Sequence, residues 1–337
     1  MRLARFPRLL LGILYGFALA SPTSAQYQIT YTTTDPTTDA ITLWRVEARD
    51  GAQPENLNSR LDAVAILPGG HLGPISVSPD GGWYVFRSER FDQDSQGWSG
   101  LTIAKSDFSS VETIRANSQT IHNEGLAQVL AGGQAIVYDS GDGPHSRDLF
   151  IVRHEATSWT TPLLLTGAST FAFNTQPTLS PDGTHVAFDA SNESFPSTAI
   201  CEVGLDGTGF RVVITKDNVP TGFQAGPAVH SPSYAPDSSI VFEAEWGGPE
   251  RVWRLPSTGG QPSLVNPTFT NDNSPVALPD GRIASLHLPV SNHQIKLMDA
   301  NGANAIYLTP SSLNVADIGL GAGPLLTGSA PNGWEMH

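Results

Sequence analysis

Ser180-Pro181-Asp182-Gly183, running on into Val186-Ala187-Phe188, reads as a tight turn that opens into an apolar strand. Proline presets the backbone at the first corner, an aspartate side chain bonds the amides beyond it, and glycine tolerates the positive φ that follows. The arrangement recurs in Ser78-Pro79-Asp80-Gly81 before Trp83-Tyr84-Val85-Phe86, Ala235-Pro236-Asp237-Ser238 before Ile240-Val241-Phe242, and Leu278-Pro279-Asp280-Gly281 before Arg282-Ile283-Ala284. One such turn is commonplace, but a series of them, each leading into β-branched or aromatic residues, predicts a repeated hairpin. Asp80, Asp182, Asp237 and Asp280 are accordingly expected to serve the turns rather than chemistry.

Further pieces recur around the hairpins. Third strands are predicted at Ile41 to Val46, Leu101 to Ala104, Leu149 to Val152, Ile200 to Val203, Val252 to Leu255 and Ile295 to Met298. Polar turns such as Asp206-Gly207 and Asn301-Gly302 lead from them into short fourth strands, Arg211 to Ile214 and Ala305 to Leu308 among them. Gln128 to Gly133 before Ala135-Ile136-Val137-Tyr138 supplies a degenerate hairpin in which Gly132-Gly133 replaces the Pro-Asp pair. Units of four antiparallel strands at roughly 40 to 55 residues predict propeller blades. The expected fold is therefore all-β: a six-bladed β-propeller of four-stranded antiparallel blades.

The chain ends complete the count. Tyr27 to Thr34 and Ile41 to Val46 read as outer strands without an inner strand before them. Val315 to Gly319, then Gly321-Ala322-Gly323 and Pro324-Leu325-Leu326, read as an inner hairpin without outer strands after it. The two ends are expected to share one blade and so close the ring, removing the exposed edges of a linear array. Both Gln28 to Thr34 and Leu325 to Thr327 fit the second-strand place, and the N-terminal segment is preferred.

The repeated Ser-Pro-Asp-Gly turn and the apolar strand ending in Phe resemble the TolB-type β-propeller family, over about residues 27 to 327. The resemblance implies a six-bladed ring around a central channel, often periplasmic and often a platform for protein binding. TolB carries an α/β domain ahead of its propeller, whereas almost nothing here separates the export signal from the first strand, so a stand-alone propeller is expected.

That export signal consists of Arg2, Arg5 and Arg8, an apolar run from Leu9 to Ala20, and small residues ending Thr23-Ser24-Ala25. It reads as a signal peptide over residues 1–25, followed by a propeller at 26–328 and a tail at 329–337. The apolar run is short for a membrane span, and no later segment is apolar enough to form one. A periplasmic or secreted location is expected. The formal charge of −14 becomes −17 when three arginines and no acids are removed with residues 1–25. Such a charge argues against nucleic acid and anionic membranes as partners. Cys201 is the only cysteine, which rules out an internal disulfide, and its place in a third strand predicts a buried apolar residue. No amphipathic helix is predicted.

Functional residues are expected at two addresses. Loops entering the inner strands carry His71, His122, Asn174, His230 and Asn273 at similar places. These would ring the channel mouth, where three histidines could hold a divalent metal or each residue could cap its own loop. The positions just after the second strands are Arg87, Asp139, Asp189, Glu243 and His287. Loops beyond them add Glu89, Asp92, Asp94, Trp98 and Trp246. Carboxylates mixed with tryptophans could grip a peptide or glycan, or form an ordinary polar rim. Asp92 to Gly97 resembles the start of a calcium loop, but Ile103 stands where the closing acid belongs, so incidental acidity is expected. No G-x-S-x-G, H-E-x-x-H or C-x-x-C motif is present.

The sequence thus points to a non-catalytic platform that binds another exported or periplasmic protein or peptide, as a monomer and without a cofactor. Two alternatives stand beside it. One is a metal-assisted lyase or hydrolase of polysaccharide, since oligogalacturonate lyases also resemble this repeat family and use channel histidines. The other is a small-molecule or sugar binder.

Overall fold

A computed structural model describes residues 26–67, 69–91, 100–122, 125–194, 196–265, 271–289 and 292–326. The expected signal peptide, the tail at 329–337, and Asp92, Asp94 and Trp98 lie outside the described residues.

Six antiparallel sheets follow one another along the chain, each built from an inner to an outer strand. The second blade holds Leu72–Val77, Trp83–Ser88, Gly100–Lys105 and Val111–Thr113. The third holds Ala127–Val129, Ala135–Ser140 and Asp148–Glu155, with Ser158–Trp159 and Leu163–Leu164 pairing along different stretches of its third strand. The fourth holds Phe173–Leu179, His185–Ser191, Ala199–Gly204 and Arg211–Thr215. The fifth holds Val229–Tyr234, Ile240–Ala244, Arg251–Leu255 and Ser263–Leu264, and the sixth Asp272–Ala277, Ile283–His287, Gln294–Met298 and Ile306–Tyr307. Each predicted third strand occupies the third place in its sheet.

The remaining blade closes the ring in the order Val315–Ile318, Tyr27–Thr34, Ile41–Glu47, Glu55–Asn56. The N-terminal segment takes the second place, as preferred from sequence. The C-terminal segment is not a hairpin. Val315–Ile318 and Gly323–Pro324 both pair antiparallel with the same edge of Tyr27–Thr34, so they form one interrupted inner strand. Gly321 keeps a positive φ of 80°, whereas Gly319 and Gly323 serve close approach. A Cβ on Gly319 would lie 1.9 Å from the Ile75 carbonyl oxygen, and one on Gly323 would lie 2.2 Å from that of Ser78.

Cores form between neighbouring blades because successive strand residues point to opposite faces. Val186 and Phe188 pack with Val137 and Ile151 of the third blade, whereas Ala187 between them packs with Phe242 and Trp253 of the fifth. Blades are covered on both faces, so the middle strand Ile240–Ala244 is buried throughout. Cys201 belongs to the same packing, and burial pushes its thiol up to about 12, leaving it inert.

Two elements depart from the sequence reading. A seven-residue helix, Asn58–Val64, follows the closing blade, and its only buried side chain is Leu61. Two turns with one buried position leave no periodic signal to read. A small hairpin pairs Arg115–Ala116 with Gln119–Thr120 around Asn117 and Ser118, whose φ angles are 52° and 66°. No helix among the described residues is long and apolar enough to cross a membrane.

Candidate functional site: the loop face and the channel

The turns lie on one face of the ring. Asp182 Oδ1 accepts from Ser180 Oγ at 2.6 Å and from the Thr184 amide at 3.1 Å, and these bonds pull its carboxyl down to about 2. Asp237 and Asp280 each accept from the amide two residues on, at 3.1 Å. Asp80 does so at 3.3 Å and also reaches the next blade, where the Gly132 amide donates to its Oδ2 at 2.7 Å. At the centre of this face, a cavity of about 250 Å³ is lined from all six blades, with Pro79, Pro181, Pro236 and Pro279 around Tyr234. A rim cavity of about 720 Å³ gathers Arg45, Arg49, Arg60 and Lys105 with Trp83 between the closing and second blades.

On the opposite face, the inner strands begin with a repeated distortion. Gln176, Ser231 and Ser274 have φ angles of 52°, 55° and 47°, and each directly precedes a proline. The ladder slips register at each of these steps, and again around Gly73-Pro74 of the second blade. A left-handed non-glycine residue costs about 1–3 kcal/mol, so neighbouring contacts must hold it. Carboxylates from the preceding blade do so. The Ser231 amide donates to Asp189 Oδ1 at 2.9 Å, and the Ser274 amide to Glu243 Oε2 at 3.0 Å.

This arrangement revises the second predicted address. Arg87, Asp139, Asp189, Glu243 and His287 lie within the final residues of their strands, not after them, and face neighbouring elements. Asp189 and Glu243 are buried in protein, which drives the Asp189 carboxyl well above the usual range and Glu243 up to about 9. Asp139 accepts from Arg147 Nη1 at 3.3 Å. His287 Nδ1 lies 2.8 Å from Asp272 Oδ1, whose second oxygen accepts from Lys296 Nζ at 2.6 Å. Arg87 folds over Gly73, where a Cβ would meet its Cγ at 2.2 Å. Trp246 offers no stacking surface: it is 0% exposed, edge-on to Phe242 and Trp253, with Nε1 donating to the Lys216 carbonyl at 2.7 Å.

The first address also divides. Asn174 is buried and donates to the carbonyls of Arg147 and Phe171 at 3.0 and 3.3 Å, so it caps its own loop. His71 is exposed, and its carbonyl accepts from the Glu89 amide at 3.1 Å. His122 forms a backbone bridge with Gly100. Asn273 donates to Glu250 Oε2 at 3.0 Å. His230 Nε2 lies 3.2 Å from Glu243 Oε1, and burial pushes the imidazole down to about 4, so it is neutral at physiological pH. Among the described residues, the one convergent group of metal-type ligands joins His230 to Glu245 and Glu250; His71, His122 and His287 are not in it.

Below this face the channel narrows to a cavity of about 30 Å³ lined by Gln176, Ser231, Ser274 and Asp317 with apolar neighbours. Water reaches Asp317, yet the surrounding protein pushes its carboxyl up to about 6, with the Arg87 guanidinium pulling the other way. A folded-state pKa above the unfolded value of 3.8 gives stability that is full below about 3.8 and is lost as pH rises through about 6. Asp317→Asn should therefore stabilise the protein at pH 7.5 relative to the parent by about 1 kcal/mol after screening by channel water, seen as a higher melting temperature, and leave the melting temperature unchanged at pH 3.5. An offset equal at both pH values would remove the channel carboxylate as its source.

Sequence reading missed Gln176, Ser231, Ser274 and Glu250. The shared X-Pro step was the available signal for the first three. Glu250 is identifiable only once Arg251–Leu255 is paired back on Ile240–Ala244.

No family profile matches the chain, and no curated protein matches it in sequence. Solved structures do match. TolB from Acinetobacter baumannii superposes with a TM-score of 0.64 at 13% identity, over 88% of this chain and 66% of that one. A putative TolB from Agrobacterium tumefaciens gives 0.57 at 15% identity, over 85% and 90%. A chain of the nidogen/laminin complex gives 0.59 at 11% identity, over 88% and 97%. The protein has a TolB-like six-bladed β-propeller fold. This chain spans slightly under two thirds of the Acinetobacter TolB chain.

Proposed function

We propose that this propeller is an exported, non-catalytic platform that holds a segment of another protein across its loop face. One observation carries the reading. Val64, Ile66 and Leu67 are 46%, 53% and 46% exposed, within four consecutive residues. They lie where the amides of Ile66 and Leu67 donate to the Arg90 carbonyl, in the loop after the second strand of the second blade. Contiguous exposed apolar side chains of this size on a soluble surface mark contact with another molecule. The ledge that bears them is rigid, because Arg90 donates to the Gly70 carbonyl at 2.8 Å and to Asp62 at 2.6 Å. A preorganised surface beside a channel mouth suits an extended peptide, which then supplies most of the ordering cost.

The folds of TolB and of the nidogen/laminin chain support this reading by analogy, the latter coming from a protein complex. Cleavage after Ala25 and delivery to the periplasm complete it, consistent with the basic and apolar residues of the first segment. Ile66→Ser with Leu67→Ser should lower capture of a periplasmic partner at least about tenfold while shifting stability by no more than about 0.5 kcal/mol. Arg49→Ala, in the turn-face rim cavity, serves as the comparison and should leave capture intact. Equal capture by parent and double variant would overturn the assignment.

A further inference from the structure

We propose that His230, Glu245 and Glu250 form a binding site for one divalent transition-metal cation, zinc or manganese, on the loop face of the fifth blade. Their ligand atoms lie within 4.8 Å of one another. Metal bonds of about 2.0–2.2 Å place ligand atoms up to about 4.4 Å apart, so small side-chain rotations bring all three onto one ion. The donor set is one imidazole and two carboxylates. Imidazole selects against calcium and magnesium, which take oxygen ligands, while the carboxylates suit zinc and manganese.

The surroundings are those of a built site. His230 stands near the start of Val229–Tyr234, and Glu245 and Glu250 bracket the loop joining Ile240–Ala244 to Arg251–Leu255. Buried Trp246 pins that loop from within, and Arg251 Nη2 donates to its carbonyl at 2.6 Å. Asn273 holds Glu250 through the 3.0 Å bond from the sixth blade. A third carboxyl lies beside the imidazole. Glu243 is 0% exposed, and its Oε1 accepts no hydrogen bond, yet lies 3.2 Å from His230 Nε2. A carboxyl in this position orients a metal-binding histidine by holding the ring nitrogen that does not bind the ion. No lysine or arginine forms an ion pair with Glu245 or Glu250 among the described residues, and the Arg251 guanidinium stacks over Phe223 and Trp253 instead. Three protein ligands leave a coordination position for water or for a group on a bound partner.

The test uses the mature full chain, stripped with chelator and titrated calorimetrically with zinc, manganese and calcium chlorides, with metal content then measured after dialysis. One equivalent of zinc or manganese should be retained, and calcium should fail to saturate at the same concentration. Loss of an outer partner alone costs roughly 10–100-fold in affinity, so His230→Ala and Glu250→Gln should each cost at least that. Glu250→Gln preserves shape at a partly exposed position, which separates metal loss from misfolding. His154→Ala, on the third blade, should bind as the parent does. Absence of one-equivalent binding, binding unchanged in both ligand variants, or loss in His154→Ala would each overturn the site. Partner capture by the Val64–Leu67 ledge is measured separately and does not depend on these outcomes.

Discussion

Trp246→Ala should destabilise the protein by about 3–5 kcal/mol, the usual cost of removing a large buried aromatic. The ring fills the core between the fourth and fifth blades, and its indole nitrogen holds the Lys216 carbonyl. Urea unfolding should show the midpoint fall with little change in slope. Trp246→Phe should retain most of the packing and cost clearly less than the alanine change, because the indole bond and only part of the ring disappear. A ligand-stacking tryptophan would give the opposite pattern, with stability preserved and binding lost. That result would show the ring turned outward in solution and would displace the loop that carries Glu245 and Glu250.

Gly319→Ala should be at least as damaging for its size, although it adds one methyl group. A Cβ there meets the Ile75 carbonyl oxygen at 1.9 Å and Thr30 Oγ1 at 2.3 Å. Both belong to paired strands that cannot move singly, since the Gly319 amide donates to the Thr30 carbonyl at 2.8 Å and Thr30 Oγ1 to the Ile75 carbonyl at 2.9 Å. Overpacking in a core costs about 1–3 kcal/mol where side chains can yield, and the upper end or beyond is expected where the nearest obstacle is a backbone carbonyl. The loss should concentrate in the closing blade. Hydrogen exchange of Tyr27–Thr34 amides should accelerate more than that of the fifth blade, and uniform acceleration would contradict a localised seam.

The ring itself was legible because its signals are local and repeated. A Pro-Asp turn needs only four neighbouring residues, and four of the six blades supply an independent copy for comparison. The closing blade was legible in its second strand but not in its inner one, where Gly321 and Gly323 carried two readings: turn glycines or glycines under pressure from another blade. Only the position of Val77 and Ser78 chooses between them. The site divides along the same line. Equivalent positions such as His230 and Glu243 could be listed from the repeat, but whether a carboxylate faces water or a neighbouring blade depends on inter-blade packing. Trp246 was misplaced for that reason. A tryptophan in a Gly-rich polar loop carries no local mark of the pocket formed by Phe242 and Trp253.

The shared blade also sets the order in which the ring can be completed. Gln28 donates to the Pro324 carbonyl across 296 positions of sequence, and the Leu320 amide donates to Ser76 Oγ across 244. In a chain made from its N-terminus, Tyr27–Thr34 is in place long before its partners on that edge, Val315–Ile318 and Gly323–Pro324. Such long-range pairing is slow, and an unpaired edge invites wrong neighbours. The waiting strand alternates Gln28, Thr30 and Thr32 with Ile29 and Tyr31, so only every other residue is adhesive to a stray chain. In the finished ring those same polar groups become interior fastenings: Gln28 and Thr30 end fully buried, and Gln28 Oε1 accepts from the Tyr84 hydroxyl at 2.6 Å. The polar face that lets the first strand wait in water is the one that later locks the last strand home.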